Sequence, residues 1–264
     1  MVDLYYREMG ADSENSAAAK EPLIMLHGLF GSADNLGALA RILAEDYHVY
    51  AFDARNHGRS PHANSMAYKD LAADVVAMMD KLHIEKALFF GHSMGGKTSM
   101  QIALDYPERV KKLVIADIAP VKYDHHHTAI LDGMEAVKTA NPKNRGQAQK
   151  IFAEFEPHPD VQSFILTNWR RGEAGDNDWN WRINLPVIKS EYHHIVGANS
   201  GKPYQGNILF LKAGLSDYIQ SHHREEILAL FPKAQVRVIE ATGHWLHAEK
   251  PDMVARAVKR FLQS

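Results

Sequence analysis

A serine within a glycine-flanked run has the type and spacing needed for nucleophilic catalysis. Ser93 lies in Gly91-His92-Ser93-Met94-Gly95, after an apolar segment predicted to be a strand and before one predicted to be a helix. A serine on such a tight turn is exposed, and small flanking residues leave room for the neighbouring backbone. The start of the helix also favours developing negative charge. The run predicts Ser93 as a nucleophile, and a tight turn without chemistry is the alternative.

A serine hydroxyl is a weak nucleophile without a neighbouring base, which is most often a histidine. Of the 16 histidines, His244 stands out because it follows the last predicted strand, and a serine-to-histidine chain order suits this arrangement. We therefore predict His244 as the general base, and we expect His57 and His92 to make structural hydrogen bonds. Adjacent histidines elsewhere are expected at the surface, and no metal site is predicted; they are residues 125–127, 193–194 and 222–223.

The acid that would orient the imidazole has two candidates. Asp117 ends the predicted strand that follows the Ser93 helix, and Asp217 follows the next predicted strand of the sheet. Both positions fall at the carboxyl edge of a parallel sheet, where the sites of open α/β folds form. Spacing alone leaves both aspartates open as the acid.

A second glycine-containing run could supply hydrogen-bond donors to a substrate oxygen. His27-Gly28-Leu29-Phe30-Gly31 follows an earlier predicted strand, and a plain glycine-rich turn is its alternative reading. We predict an oxyanion hole formed by the backbone N–H groups of Leu29 and Met94. Four aromatic side chains are expected to line an apolar substrate pocket: Phe30, Trp169, Trp181 and Trp245. For Trp169 and Trp181, packing within the middle segment of the chain is an equally open alternative.

Strands and helices alternate along most of the chain, which predicts an α/β protein with a mostly parallel sheet flanked by helices. Residues 1–117 and 206–264 carry this alternating pattern and are expected to form the core. Residues 118–205 break the rhythm, contain no clear strand and hold three of the four tryptophans. We expect this segment to be a helical cap or lid, inserted after the sixth strand.

Bulk composition excludes several classes of protein. The 264 residues carry a formal net charge of −2, which gives no electrostatic footprint for nucleic acid. There is no cysteine, so disulfides and cysteine-based sites are excluded. Neither a signal-peptide pattern nor an apolar run of membrane-spanning length is found, so we expect a cytoplasmic protein without a membrane span. Composition leaves the oligomeric state open.

Five runs of residues together resemble the bacterial YbfF-type esterases of the α/β-hydrolase superfamily, which are related to mitochondrial α/β-hydrolase-domain proteins. The resemblance extends nearly end to end and is weakest in the cap. It implies the α/β-hydrolase fold and a hydrolase of acyl esters or thioesters that uses no cofactor. It also favours Asp117 as the acid, because the aspartate of that run is the one expected in the family. The runs are residues 27–31, 53–60, 91–97, 117–120 and 243–249.

The sequence therefore predicts a serine esterase for small-molecule esters or thioesters with short to medium acyl chains. Ser93, His244 and Asp117 would form its triad, and the reaction would pass through an acyl-enzyme. One alternative is a carbon–carbon bond hydrolase or lyase on the same triad. Another is a binding module that keeps the fold without turnover. Epoxide or haloalkane hydrolysis would require an aspartate at position 93.

Overall fold

The computed structural model describes residues 1–11, 19–172 and 178–264. The strands found within these residues are β1 Tyr6–Met9, β2 Pro22–Leu26, β3 His48–Phe52, β4 Ala87–His92, β5 Val110–Ala116, β6 Trp169–Arg171, β7 Trp179–Trp181, β8 Asn207–Ala213 and β9 Ala234–Ile239. Seven of them form one sheet in the order β1-β3-β2-β4-β5-β8-β9, and β6 pairs with β7 in a separate hairpin.

The large sheet is parallel except at one edge, where β1 runs antiparallel to β3. Strand β4 lies near its middle and is buried along its whole length. A parallel strand buried on both faces is expected to be continuously apolar, which explains why these strands were recognisable as short apolar runs. The predicted α/β class with a mostly parallel sheet is confirmed.

Helices cover both faces of this sheet. The helices are α1 Gly37–Leu43, α2 Tyr68–Lys81, α3 Met94–Asp105, α4 Thr128–Ala140, α5 Arg145–Phe152, α6 Pro159–Leu166, α7 Leu185–Ser190, α8 Tyr192–Ile195, α9 Arg224–Leu230, α10 Leu246–Glu249 and α11 Pro251–Leu262. α1, α10 and α11 pack on one face, and α2, α3 and α9 pack on the other. No helix in the described ranges has the length and apolar character needed to cross a membrane.

Side chains alternate between the two faces, as the pleat of a strand requires. In β4, Phe89 joins the core on the side of α2 and α3, whereas Leu88 and Phe90 join the core on the side of α1 and α11. The helices bury stripes at helical spacing against these surfaces. The buried stripe of α11 comprises Val254, Ala255, Ala257, Val258, Phe261 and Leu262.

The residues between β5 and β8, called the insertion below, differ from the expectation in two respects. They form helices α4 to α8, but they also contain the hairpin of β6 and β7, in which Trp169 pairs with Trp181. Each of these strands has three residues, which is too short for an alternating pattern to be seen in the sequence. Among the described residues, five strands precede the insertion rather than the expected six, and β1 is the single strand at the antiparallel edge of the sheet.

Candidate active site

Ser93 occupies the turn between β4 and α3, at the carboxyl end of the sheet. Its backbone has φ 52° and ψ −118°, a conformation that non-glycine residues rarely adopt. The flanking glycines are required by space. A Cβ on Gly95 would lie 2.2 Å from the carbonyl oxygen of Leu26, and a Cβ on Gly91 would lie 2.4 Å from that of Gly95. The expected strained turn with glycines on both sides is therefore present.

His244 and Asp117 meet at this edge although 127 residues separate them. The Nδ1 atom of His244 lies 2.8 Å from Oδ2 of Asp117, which is completely buried. The other carboxylate oxygen of Asp117 accepts a hydrogen bond from the Ala213 N–H at 2.9 Å. Both carboxylate oxygens are thus occupied, so the carboxylate is held in one orientation against the imidazole.

Asp217 is placed differently. Its side chain is exposed and accepts a hydrogen bond from Nε2 of Gln220 at 2.9 Å. It lines an open groove that His244 also borders, but the carboxylate on the imidazole is that of Asp117. Of the two aspartates that spacing left open, the structure brings Asp117 to His244.

Two further side chains hold His244 in place. The ring of Tyr218 stacks on its imidazole with the centroids 4.0 Å apart. The Nε2–H of His92 donates to the backbone carbonyl of His244 at 2.8 Å, so the residue before the nucleophile anchors the loop of the base. Structural hydrogen bonds were expected for His92 and are found. Tyr218 was missed, although it adjoins the singled-out Asp217, because ring stacking leaves no spacing signal.

The predicted oxyanion donors lie beside Ser93. Met94 is the first residue of α3, so its N–H has no acceptor within the helix. Leu29 lies in the turn after β2, which is closed by a hydrogen bond from the Gly31 N–H to the Gly28 carbonyl. Leu29, Ser93 and Met94 all border one small cavity. The two residues that carry these N–H groups thus border the same small cavity as Ser93.

A cavity of about 80 Å³ contains Ser93 and His244 in its lining. Most of its exposed wall is apolar, and the insertion contributes several of the wall side chains. Trp245 packs against Phe164 of α6 with ring centroids 5.2 Å apart. The apolar wall comprises Leu29, Phe30, Ile130, Val161, Phe164, Ile165 and Trp245. Phe30 and Trp245 therefore lie among the residues that line the cavity.

Trp169 and Trp181, expected in the same wall, lie instead inside the insertion. Both are buried, and their rings contact each other edge to face at 5.1 Å. Their indole N–H groups donate to the carbonyls of Pro142 and Met134. A buried indole needs such an acceptor, and the chain supplies it within the insertion rather than at the cavity. The pocket expectation is wrong for these two tryptophans.

Buried histidines surround the site in their neutral form. Burial lowers the pKa of His57 and of His247 to about 3 and the pKa of His127 to about 4. Burial also lowers the pKa values of His27 and His92. His127 was expected at the surface, but its Nδ1 lies 2.7 Å from the hydroxyl of Tyr192, and its ring borders the cavity.

Arg55 does not reach the cavity. Its guanidinium forms a buried ion pair with Asp74, at 2.6 Å from Nε and 2.8 Å from Nη2. This pairing braces the loop after β3. In the part of the chain that the structure describes, no group of three or more metal-ligating side chains is placed to hold an ion.

Comparison with known proteins gives matches along nearly the whole chain. A family model described as the alpha/beta hydrolase fold matches residues 21–251. Esterase YbfF of Escherichia coli (strain K12) is 42% identical over 242 residues, which cover 91% of this chain and 92% of that protein. The sn-1-specific diacylglycerol lipase ABHD11 of Mus musculus is 36% identical over 249 residues, 91% and 80% of the two chains. A solved marine microorganism esterase aligns with a TM-score of 0.92 at 35% identity, covering 99% of this chain and 100% of that one.

Proposed function

Because this chain belongs to the α/β-hydrolase fold family and is a carboxylic-ester hydrolase, we propose that it cleaves its substrate by two-step acyl transfer on Ser93. His244 is the general base, Asp117 is the acid that orients it, and the N–H groups of Leu29 and Met94 bind the oxyanion. One observation carries this proposal. The His244 imidazole contacts the buried Asp117 carboxylate at 2.8 Å and lines the same cavity as Ser93.

In the first step, Oγ of Ser93 attacks the substrate carbonyl carbon while Nε2 of His244 takes the hydroxyl proton. Asp117 accepts a hydrogen bond from Nδ1–H, which leaves Nε2 free as the base and stabilises the imidazolium that forms. No hydrogen bond joins Ser93 to His244 in the described residues, and such contacts commonly shorten only when substrate binds.

Collapse of the tetrahedral intermediate releases the alcohol, which receives its proton from His244, and leaves the acyl group on Ser93. Water then attacks this acyl-enzyme while His244 takes a proton from it. Collapse of the second tetrahedral intermediate breaks the bond between the carbonyl carbon and Oγ of Ser93, which receives that proton from His244, and the carboxylic acid is released. The oxyanion donors act in both steps, and removing one such donor in another hydrolase costs roughly 10²–10³ in rate.

The cavity beside Ser93 favours a short acyl chain. Its volume is about 80 Å³, and its wall combines Phe30 and Trp245 with side chains of α6. We propose residues 118–205 as a cap over the edge of the sheet, because this segment supplies Phe164 and Ile165 to the wall. Esters and thioesters present the same carbonyl to Ser93, so both are included as substrates.

The direct test is a purified Ser93→Ala variant assayed on nitrophenyl acetate and butyrate. Removing the nucleophile of a serine hydrolase lowers kcat by a factor on the order of 10⁶, and a loss of about 10⁴ or more is expected here. Ser99→Ala is the matched control, because this hydroxyl lies on the same helix and donates only to the Gly95 carbonyl. Undiminished turnover by the Ser93 variant would contradict the proposal.

Two further readouts separate this reaction from the other possibilities. A fluorophosphonate probe should label the protein on Ser93, and failure to label a folded protein would favour a non-catalytic module. Turnover of diketone ring-cleavage products without turnover of esters would favour carbon–carbon bond hydrolysis on the same residues.

A further inference from the structure

Lys97 is a buried cation that the proposed reaction does not use. It lies on α3 one turn beyond the nucleophile, where its backbone N–H donates to the Ser93 carbonyl at 3.0 Å. Its side chain is only 1% exposed, and no ion pair with a carboxylate is found for it within the described ranges. Lysine is almost never fully buried without a partner, so the ammonium needs an explanation.

The ammonium donates to backbone carbonyls at both ends of the insertion. Nζ lies 2.6 Å from the Val121 carbonyl oxygen and 2.5 Å from that of Gly197, with the Val196 oxygen at 3.5 Å. Val121 belongs to the segment that leaves β5, and Gly197 belongs to the segment that returns toward β8. One side chain on the nucleophile helix therefore contacts both stems of the insertion, residues 118–123 and 195–199.

The stems are also joined to each other. The Tyr123 N–H donates to the Val196 carbonyl at 2.9 Å, and the Asn199 N–H donates to the Pro120 carbonyl at 3.0 Å. The side-chain amide of Asn199 returns to the nucleophile helix by donating to the Lys97 carbonyl at 2.9 Å. Lys97 thus lies where both stems and α3 converge.

Aromatic side chains connect this junction with the base. Nζ of Lys97 lies 4.8 Å from the centre of the Tyr123 ring, within the range of a cation–π contact. The hydroxyl of Tyr123 donates to the carbonyl of Tyr218, whose ring stacks on His244. Lys97 and Ser93 also border the same small cavity of about 30 Å³.

Packing alone does not account for a lysine here. Burial lowers the pKa of Lys97 to about 7, which reflects the cost of removing the ammonium from water. An apolar side chain of the same length would avoid that cost, and replacing buried charges by apolar residues is often neutral or stabilising. What the ammonium adds is three N–H donors, and the three carbonyls around Nζ can receive them.

We propose that Lys97 is a positioning residue that fixes the insertion over the nucleophile by binding both of its stems to α3. The insertion supplies Ile130, Val161 and Phe164 to the cavity wall, so its placement sets the shape of the substrate pocket. This inference rests on the proposed function, because the pocket matters for turnover only if Ser93 is the nucleophile.

The test replaces Lys97 by methionine, which keeps the length and the packing but has no donor. The expected result for Lys97→Met is a KM for nitrophenyl butyrate about tenfold higher, with kcat changed less than about threefold. The reason is that losing one good hydrogen bond between the stems and α3 shifts the balance between the placed and the displaced insertion by about a factor of ten. Amide hydrogen exchange in residues 118–123 and 195–199 should also accelerate. Lys112→Met is the matched control, since Lys112 also donates to backbone carbonyls, those of Phe261 and Leu262, away from the site.

A methionine variant with wild-type KM and unchanged exchange in both stems would overturn the proposal. If Lys97→Met does not fold, Lys97→Gln is compared with the wild type. Its shorter side chain keeps two amide donors, so KM and stem exchange should still rise, and wild-type values of both would overturn the proposal. Hydrogen exchange needs no turnover, so it tests the role of Lys97 even if Ser93→Ala were to remain active. Loss of ester turnover in Ser93→Ala, together with a wild-type KM and unchanged stem exchange in Lys97→Met, would leave the proposed function standing and reject this inference.

Discussion

Two aspartates that spacing along the chain leaves equivalent lie in opposite environments. Asp117 is buried with both carboxylate oxygens occupied, one by His244 and one by the Ala213 N–H. Asp217 is exposed and contacts Gln220. The difference arises from strand register, since the Asp117 N–H donates to the Leu211 carbonyl of the neighbouring strand and so fixes where its side chain points.

Replacing these aspartates separately gives the sharpest test at the scale of single residues. Asp117→Asn should lower kcat by about 10⁴, because an amide N–H facing Nδ1 selects the wrong tautomer of His244. Asp217→Asn should change kcat less than about threefold. The measurement is kcat on nitrophenyl butyrate, with a urea unfolding curve for each variant to verify folding. An inactive Asp217 variant beside an active Asp117 variant would reverse the assignment.

The predicted site residues that the structure brings together belong to local motifs. Ser93 and Leu29 are defined by glycines within a few positions, and His244 by its place after the last strand. Tyr218 stacks on His244, and Lys97 donates to backbone carbonyls that are distant in the chain. Contacts of this kind follow no local sequence pattern, so the roles of these two residues were not predicted. The predicted place of Trp169 and Trp181 in the pocket wall is wrong for a related reason, because an indole ring packs equally well in the interior of a cap and in the wall of a pocket.

At the scale of elements, the alternating core was predictable and the insertion was not. Strands such as β4 are continuous apolar runs ended by glycine, and α11 carries a stripe at helical spacing. The insertion combines short helices of four to thirteen residues with strands of three. Tertiary packing decides elements of that length, so neither the hairpin nor the residues facing the cavity could be derived.

A substitution in helix α6 tests which acyl chain length the cavity accepts. Phe164 faces the cavity and packs on Trp245, so Phe164→Ala should lengthen the space beside Ser93. We expect kcat/KM for nitrophenyl octanoate to rise about tenfold relative to nitrophenyl acetate, since each buried CH₂ contributes about 0.8 kcal/mol. Phe155→Ala is the control, because Phe155 also belongs to the insertion, where its Cβ lies near Gly133 of α4, but it does not line the cavity. An unchanged ratio of the two substrates in Phe164→Ala would place the acyl chain elsewhere.

At the scale of the whole molecule, the buried histidines link stability to pH. His57, His127 and His247 have folded-state pKa values of about 3 to 4, below the ordinary value of 6.5, because burial disfavours their charged forms. Between pH 6.5 and about 4, the unfolded chain therefore binds protons that the folded protein does not. The free energy of unfolding must fall as pH decreases through this window, by up to about 1.4 kcal/mol per pH unit for each group.

We therefore expect urea unfolding to show a stability loss of about 2 kcal/mol or more between pH 7 and pH 5. His57→Gln should flatten this dependence whatever its effect at pH 7, because it removes one of the groups that takes up a proton only on unfolding. His193→Gln is the control, since His193 is exposed and its replacement should leave the slope as in the wild type. Equal slopes for the wild type and His57→Gln would mean that His57 is protonated in the folded protein, which its complete burial opposes.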